Sequence, residues 1–343
     1  MTPNAAEPDP VAELEARLER CRDQVKALLK RLDSELLGQR DVTRSLALAV
    51  LAGGHVLLEG APGLGKTTLV HALADALELE FRRVQFTPDL MPSDVLGSRV
   101  LHVAEDGSRR FEFEPGPIFT HVLLADEINR ATPRTQSALL EAMQERQVTL
   151  HGTTRRLDDP FLVVATQNPL EMEGTYPLPE AQLDRFLFQL QLELPSERAL
   201  VEVLSATTGV ARASAPPTMR RADLLDARDL VRRLPAPSPV VELVARLVLA
   251  THPTSAEAPP EVRAHARFGA SPRGGQSLLL AAKARALLDG RLHVTAEDVA
   301  ALALPALRHR IAVNYEGEAA GARADDLVAA ALAAAGQPRR AAR

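Results

Sequence analysis

Eight consecutive residues of this chain have the types and spacing that bind a polyphosphate: positions 60–67 fit the pattern G-x-x-x-x-G-K-[ST]. A short apolar run at 55–59 precedes them and a helical pattern starts at Thr68, so the sequence predicts a strand, a glycine-rich turn and a helix. This order aims backbone N–H groups and a helix N-terminus at an anion. The residues expected to bind a nucleotide here are Gly60, Ala61, Pro62, Gly63, Leu64, Gly65, Lys66, Thr67 and Thr68.

Lys66 and Thr67 carry the specific chemistry of this loop. The Lys66 ammonium would supply positive charge between the β- and γ-phosphates of ATP, and the Thr67 hydroxyl would supply a ligand for Mg²⁺. Only four of the 40 basic residues are lysines, yet one stands where a compact, flexible ammonium is preferred over a planar guanidinium. The alternative is a chance glycine-rich turn, which the agreeing flanks disfavour.

A pair of acids follows the apolar run at 122–125. Carboxylates at the carboxyl end of such a strand face the crevice where ligands bind in open α/β sheets. Asp126 is expected to hold Mg²⁺, usually through water, because Mg²⁺ keeps part of its hydration shell. Glu127 is expected to polarise an attacking water as a general base.

Asn168 stands at the tip of another apolar run, at 161–166. An amide there can donate a hydrogen bond to the attacking water or to the γ-phosphate and so sense an intact ATP. The alternative is an asparagine that caps a turn before Pro169.

Arginine stabilises the charge that spreads over a transferred phosphoryl group. Arg185 stands just before the last predicted strand, from where it could reach a neighbouring subunit's nucleotide. Arg273 opens a helix of the second domain and could touch the γ-phosphate when that domain closes. Arg130 is a third candidate. A surface location is the ordinary alternative for any single arginine of this chain.

The bulk properties describe a globular protein of about two domains, with 343 residues, of which 46% are hydrophobic and 25% charged. A net charge of −5 argues against a dedicated binder of duplex DNA, which usually carries a basic excess. The single cysteine, Cys21, suits a reducing cytoplasm. Neither a signal peptide nor an apolar run long enough to cross a bilayer is expected, so we predict a cytoplasmic protein without membrane insertion.

The pattern divides the chain into a short disordered start at 1–10, an amphipathic helix at 11–35, an α/β nucleotide-binding domain at 36–195, an all-α domain at 196–335 and a basic tail at 336–343. Short apolar runs that alternate with helical segments predict a parallel sheet. The predicted strands are 55–59, 82–86, 121–126, 161–166 and 186–192. In the second domain, helices are predicted at 240–250, 275–288 and 296–304, the last capped by Thr295 with Asp298.

Two β-hairpins are expected to extend from the sheet domain. One joins 99–104 to 109–114 through an Asp-Gly turn, and the weaker one joins 147–150 to 154–157 around Gly152. Both surface decoration and projection into a pore or toward a partner remain open for these hairpins.

Taken together, these segments resemble the AAA+ ATPases, and specifically the MoxR family. The resembling stretches are 60–67, 85–94, 114–117, 125–131, 165–169, 179–186 and 269–273. The Gln-Phe-Thr-Pro-Asp sequence at 85–89 and the Glu-Ala-Gln-Leu-Asp-Arg-Phe sequence at 180–186 are more specific than the phosphate loop alone.

The resemblance implies roles that composition and spacing do not show. Gly38 and Gln39 would lie near the adenine, Asn168 would be the first sensor, and Arg185 would be an arginine finger that acts in trans. Arg273 would be the second sensor, in cis or in trans. Family members look like ring-forming, chaperone-like ATPases that often work with proteins carrying a von Willebrand factor A domain, and they help to mature or activate other proteins.

The leading hypothesis is therefore a Mg²⁺-dependent ATPase that assembles into a ring, expected to be a hexamer, and remodels a protein client. A nucleic-acid motor is a second hypothesis, kept open by arginines on the predicted hairpins: Arg99, Arg109, Arg110, Arg155 and Arg156. A third is a switch in which the bound nucleotide, rather than its turnover, recruits a partner.

Overall fold

The computed structural model of the protein describes residues 10–103, 108–150, 152–169, 174–208 and 215–337. Its strands are β1 His55–Glu59, β2 Phe81–Gln85, β3 Gly97–Val103, β4 Arg109–Pro115, β5 Val122–Asp126, β6 Gln147–Leu150, β7 Thr153–Arg156, β8 Leu162–Gln167, β9 Phe186–Gln191, β10 Ala266–Phe268 and β11 Ala312–Val313. Its helices are α1 Pro10–Glu35, α2 Arg40–Ala52, α3 Lys66–Ala76, α4 Pro92–Leu96, α5 Pro133–Glu145, α6 Glu180–Leu183, α7 Glu197–Thr207, α8 Arg221–Arg233, α9 Ser238–Ala250, α10 Pro260–His265, α11 Pro272–Leu288, α12 Ala296–Leu307, α13 Tyr315–Ala319 and α14 Ala324–Ala335.

The five strands of the predicted sheet pair in the order β2-β5-β8-β1-β9. Every pairing in this sheet is parallel. The predicted strands are confirmed, with ends that differ by about one residue because hydrogen bonding rather than hydrophobicity fixes them. The carboxyl ends of β1, β5 and β8 lie at one edge of the sheet, and the amino ends of β1 and β9 lie at the opposite edge.

Successive side chains of these strands point to opposite faces of the sheet and enter two separate hydrophobic cores. Val56 and Leu58 of β1 belong to a core that also contains residues of α1, α2, α3 and α11. Leu57 belongs to the other core, with residues of α5 and Leu123 of β5. A strand buried on both faces must be apolar throughout, which explains the continuous hydrophobic runs of the sequence.

Two antiparallel hairpins extend from this domain, as predicted. One pairs β3 with β4 and the other pairs β6 with β7. Gly97 begins the first hairpin with φ of +98°, where a Cβ atom would lie 2.4 Å from the Glu114 carbonyl oxygen. The position therefore requires glycine. The predicted Asp-Gly turn falls on residues 104–107, outside the described residues.

The helical carboxyl-terminal part contains α8 to α14 and confirms the three helices predicted there. Asp298 accepts hydrogen bonds from the backbone nitrogen and the hydroxyl of Thr295, at 2.9 and 3.2 Å, which holds the start of α12. The pattern did not predict the antiparallel pair β10 and β11, since strands this short have no readable period. This part is therefore not purely helical.

Helix α1 packs against α2 and α3 through Leu28 and Leu32, both fully buried. It begins at Pro10, a residue that the sequence placed in the disordered start, because proline is well tolerated in a first helical turn. The remainder of that predicted start, 1–9, and residues 338–343 of the predicted basic tail lie outside the described residues. Across the described segments, no helix is both long and apolar enough to cross a bilayer.

Candidate functional site

The predicted phosphate loop connects β1 to α3 as a turn that depends on glycine. Gly63 and Gly65 have φ values of +81° and +84°, a region that side chains with a Cβ atom rarely adopt. A Cβ atom on Gly60 would lie 2.9 Å from the Leu192 carbonyl oxygen, so the loop also packs closely against the end of β9. Glycine is therefore required at three places in this loop.

Helix α3 begins at Lys66, so Lys66, Thr67 and Thr68 form its first turn. Gly65 precedes this turn and makes no side-chain cap, so no capping side chain stands between the start of the helix and a bound anion. The Lys66 Nζ atom donates to the Gly60 carbonyl oxygen at 2.6 Å. The ammonium group therefore lies over the loop, where it adds to the positive end of the helix dipole.

Asp126 ends β5 with two different donors on its carboxylate. The Thr166 hydroxyl donates to Oδ1 at 2.6 Å. The Arg83 guanidinium donates to Oδ2 from Nε at 3.0 Å and from Nη2 at 2.7 Å. Arg83 belongs to β2, so the two neighbours of β5 in the sheet both hold this carboxylate.

Glu127 follows Asp126 in a left-handed conformation, with φ of +56°. Its backbone N–H donates to the Thr166 hydroxyl at 2.8 Å. Its carboxylate oxygen Oε2 accepts from the Gln85 side-chain amide at 2.7 Å and from Arg130 Nη1 at 3.1 Å. A left-handed backbone is unusual for a glutamate and is commonly retained at functional sites.

Asn168 directly follows β8, which lies between β5 and β1 in the sheet. It is 6% exposed and thus faces the interior at the carboxyl edge. The Gly60 backbone nitrogen approaches the Gln167 carbonyl oxygen at 3.4 Å, which joins this strand end to the phosphate loop. The structure therefore brings the loop, the acid pair and Asn168 to one edge of one sheet.

The residues at this edge suit a nucleotide and Mg²⁺. The glycine cradle and the uncapped first turn of α3 match a polyphosphate. The Thr67 hydroxyl and the Asp126 carboxylate are oxygen ligands of the kind that bind Mg²⁺ in ATPases. In such sites, phosphate oxygens and water complete the coordination shell of the metal. No cluster of three or more acidic, histidine or cysteine ligands occurs within the described ranges, and a site of this type does not require one.

Gly38 and Gln39 lie in the connection between α1 and α2. A Cβ atom on Gly65 would lie 3.1 Å from Leu36 Cδ1, so this connection contacts the phosphate loop. Gln39 Nε2 donates to the Glu193 carbonyl oxygen at 2.6 Å. Gly38 and Gln39 line a cleft of ≈ 1300 Å³ between α2, α7 and α12, whereas Thr67 and Thr68 line a separate hollow of ≈ 330 Å³.

Arg185 does not join these residues, because it stands at the other edge of the sheet. It immediately precedes β9, whose first residue, Phe186, pairs with His55 at the amino end of β1. The phosphate loop begins at the opposite end of β1. The Nε atom of Arg185 is buried and has no hydrogen-bond partner among the described residues.

Arg273 lies at the same edge as Arg185. The residue that caps its helix, Ser271, donates from its hydroxyl to Asp184 Oδ2 at 2.8 Å. Arg273 is exposed and stands in the first turn of α11. The two arginines that could stabilise a transferred phosphoryl group are thus close to each other and remote from the phosphate loop of their own chain.

Three residues of the site were not predicted from the sequence: Arg83, Gln85 and Thr166. Each belongs to β2 or β8, the strands on either side of β5. Gln85 pairs with Asp126 in the register of β2 and β5, and this pairing brings the Gln85 side chain to Glu127. The available signal was a polar residue at the end of an otherwise apolar strand, as in Thr166.

Three of the five hairpin arginines that kept a nucleic-acid motor open contact other residues of the hairpins. The Arg99 guanidinium lies 5.3 Å from the centre of the Phe111 ring, and that of Arg155 lies 4.1 Å from the centre of the Phe113 ring. Arg110 pairs with Glu112 at 3.8 Å. Glu112 and two aromatic rings thus lie among the arginines of these hairpins.

The fold and this edge of the sheet define a nucleotide-binding protein of the AAA class. Residues 55–188 match the family described as ATPase family associated with various cellular activities (AAA), and residues 259–331 match the AAA lid domain. Residues 189–258 lie between these two matches.

Comparison with related proteins identifies the family within the AAA class. Chaperone MoxR1 of Mycobacterium tuberculosis is 40% identical over 299 residues, which cover 87% of this chain and 76% of that protein. Protein MoxR of Paracoccus denitrificans is 36% identical, over 82% of this chain and 86% of that one. A crystal structure of a presumed ATPase from Cytophaga hutchinsonii, 37% identical, superposes with a TM-score of 0.87 and covers 94% of this chain and 97% of that chain. The chain belongs to the MoxR family of AAA+ ATPases.

Proposed function

We propose that this protein hydrolyses ATP to ADP and phosphate at a site shared by two copies of the chain. The observation that carries the proposal is the division of the machinery between the two edges of the sheet. The phosphate loop, the acid pair and Asn168 lie at the carboxyl edge, and Arg185 and Arg273 lie at the amino edge. One copy thus supplies the cradle and the water-activating group, and the next copy supplies the arginines.

Each residue of the carboxyl edge has a role that follows from its chemistry. Backbone N–H groups of 60–67 and the Lys66 ammonium bind the phosphates. Glu127 accepts a proton from the attacking water, and Asn168 orients that water or the γ-phosphate through its amide. Thr67 and Asp126 would hold Mg²⁺, which would supply positive charge to offset the negative charge of the phosphates.

Glu127 must exchange partners before it can act as the base. Its carboxylate accepts hydrogen bonds from Gln85 and Arg130 in this structure. Both bonds hold the carboxylate toward β2 and Arg130. Rotation away from these two groups would free the carboxylate for a water beside the γ-phosphate.

The arginines complete the site of a neighbour rather than their own. Strand β1 has five residues, which span about 16 Å at the usual rise per residue. This separates the edge of Arg185 from the edge of the phosphate loop by more than an arginine side chain can bridge. We propose that Arg273 also acts in trans, because Ser271 holds the start of α11 beside Asp184.

A contact in which one edge meets the other edge of the next copy is heterologous, and its repetition forms a ring when the rotation between copies closes. We propose a hexameric ring, on the strength of the family resemblance. Protein remodelling is proposed on the same basis, since one relative is described as a chaperone. The proposed client is a protein with a von Willebrand factor A domain, in the cytoplasm, where a single buried cysteine would stay reduced.

Mixing two inactive variants tests the shared site. Glu127→Gln keeps the arginines but lacks the base, and Arg185→Ala keeps the base but lacks the finger. Each alone should lose turnover, and the loss for Arg185→Ala should be about 10³-fold. In random rings, an equimolar mixture should recover about a quarter of wild-type activity, because about half of the Arg185→Ala sites gain a neighbour with an intact finger.

Lys66→Ala is a second partner for the mixing experiment, since it should abolish nucleotide binding in its own copy. Mixed with Arg185→Ala, it also restores activity, because its own arginines remain. Full activity of Arg185→Ala alone, or no recovery in either mixture, would contradict a shared site. No ATP hydrolysis by the wild-type protein would contradict the proposed reaction itself.

A further inference from the structure

The residue that precedes Arg185 connects it to Arg273. Asp184 accepts a hydrogen bond at Oδ2 from the Ser271 hydroxyl, at 2.8 Å. The same hydroxyl accepts from the backbone N–H of Arg273, at 3.1 Å. One carboxylate and one hydroxyl thus join the backbone of the first arginine to the backbone of the second.

A second group from the carboxyl-terminal part holds Asp184 in place. Arg310 donates from Nε to Asp184 Oδ1 at 2.7 Å and from Nη2 to the Asp184 carbonyl oxygen at 2.9 Å. It also donates to the Phe186 carbonyl oxygen at 2.7 Å. Arg310 is 4% exposed, so these bonds form away from water, where they are stronger and their loss is costly.

The segment that carries Arg185 is held along its whole length. Arg267 pairs with Glu180 at the start of α6. The His309 ring nitrogen Nε2 lies 3.0 Å from the Phe186 carbonyl oxygen. Residues on both sides of Arg185 are therefore fixed by the carboxyl-terminal part, while the Arg185 guanidinium itself keeps an unpaired Nε atom among the described residues.

We propose that Asp184 is a positioning residue that fixes Arg185 and Arg273 as one unit, presented together to the nucleotide of the neighbouring copy. The inference rests on the proposed shared site and identifies Asp184 as the residue that aligns the two arginines of that site. A movement of the carboxyl-terminal part shifts Ser271 and Arg310, and with them the backbone of Arg185. The state of one copy's own lid thereby sets the activity of the next copy's site.

Ser271→Ala tests this link with the smallest change, because it removes only the hydroxyl that joins Asp184 to Arg273. In the wild-type background it should lower kcat about tenfold, the loss expected for one charge-assisted hydrogen bond, with KM for ATP within about twofold. Ser271→Thr keeps the hydroxyl and should restore kcat. Ser255→Ala is the matched control, since the Ser255 hydroxyl also accepts from a backbone N–H two residues on, that of Glu257 at 3.2 Å.

Mixed rings separate positioning from a structural defect. Ser271→Ala mixed with Glu127→Gln should recover activity, because the second variant supplies intact arginines to the first variant's site. Ser271→Ala mixed with Arg185→Ala should not recover, since both lack a working finger. A defect confined to the variant's own nucleotide site would give no recovery in the first mixture.

A double variant adds a second measure. If the Ser271 hydroxyl acts through Arg185, Ser271→Ala should lower kcat little further in a protein in which Arg185 is already alanine. Unchanged kcat in Ser271→Ala, or a loss that Glu127→Gln fails to restore, overturns the inference while leaving the shared site intact. Normal turnover by Arg185→Ala overturns both. Asp184→Asn, which keeps the shape but removes the charge, should behave as Ser271→Ala does.

Discussion

The side-chain amide of Gln85 donates a hydrogen bond to the Glu127 carboxylate across 2.7 Å. The same amide accepts at its oxygen from Arg83 Nη2, also at 2.7 Å. The two bonds fix the orientation of the amide, with its nitrogen toward the glutamate. The end of β2 therefore holds the proposed base, and a strand three positions from the phosphate-loop strand can influence when it acts.

Gln85→Ala should raise the basal ATPase rate, because Glu127 would lose one of the two donors that hold it. A single hydrogen bond of this kind contributes roughly 1 kcal/mol net, so kcat should rise about fivefold with little change in ATP affinity. Steady-state hydrolysis and nucleotide titration measure the two quantities. A fall in kcat would show instead that Gln85 aligns the base for reaction.

Arg83→Ala should lower the Mg²⁺ concentration needed for half-maximal activity. Arg83 places two N–H donors on Asp126 Oδ2, and a cation there competes with a metal for the same carboxylate. The Arg83 side chain is 48% exposed, so the expected shift is modest, about threefold. Arg82→Ala is the control, because Arg82 pairs with Glu80 rather than with Asp126. An unchanged Mg²⁺ requirement would contradict the competition.

The sequence predicted the parts of the site that are contiguous along the chain. The phosphate loop and the Asp126–Glu127 pair are recognisable because each is a short pattern beside one apolar strand. Arg83, Gln85 and Thr166 were not recognisable, because they reach the acid pair through the pairing of β2, β5 and β8. Strand order and register depend on contacts between distant residues, which a single sequence does not display.

The location of Arg185 and Arg273 in the fold also depends on contacts between distant residues. Arg185 and Arg273 were both predicted as candidates, but whether Arg273 acts on its own nucleotide stayed open. The bond between Ser271 and Asp184 joins residues that are 87 positions apart. That bond, and the parallel pairing of β1 with β9, place both arginines at the amino edge, which is the basis of the proposed trans action.

Arg273→Ala should lower kcat and should recover activity when mixed with Glu127→Gln. The recovery is expected because the Arg273→Ala protein keeps its own cradle and base, and the Glu127→Gln neighbour supplies the missing guanidinium. Arg263→Ala is the control in the same part of the chain, since within the described segments the Arg263 side chain donates only to the nearby Ala256 carbonyl oxygen. Loss of activity in Arg273→Ala without recovery would assign the residue to its own site.

His55, at the amino end of β1, makes the stability of the fold depend on pH. Burial lowers the pKa of this imidazole to about 4, against the opposing effect of a bond with the Met143 carbonyl oxygen, while Arg146 and Arg228 lower it further. Nδ1 accepts from the Val163 backbone nitrogen at 3.0 Å, and Nε2 lies 3.2 Å from the Met143 carbonyl oxygen. Both nitrogens are satisfied only when the ring is neutral.

Since the folded pKa lies below the unfolded one, the unfolded chain binds more protons between about pH 6.5 and pH 4. The contribution of neutral His55 to the free energy of unfolding is therefore fully present above that pH window. It is lost as the pH falls through the window. Between pH 7 and pH 5, His55 should account for a loss of about 2 kcal/mol in the free energy of unfolding.

Chemical denaturation at both pH values compares the wild type with His55→Asn. The variant should be less stable at pH 7, yet its free energy of unfolding should fall by about 2 kcal/mol less between the two pH values. His293→Asn, at an exposed histidine, should show the wild-type response. If His55→Asn does not fold, histidine NMR of the wild type decides the matter, because a ring that is already protonated at pH 5 in the folded protein would contradict the buried neutral imidazole.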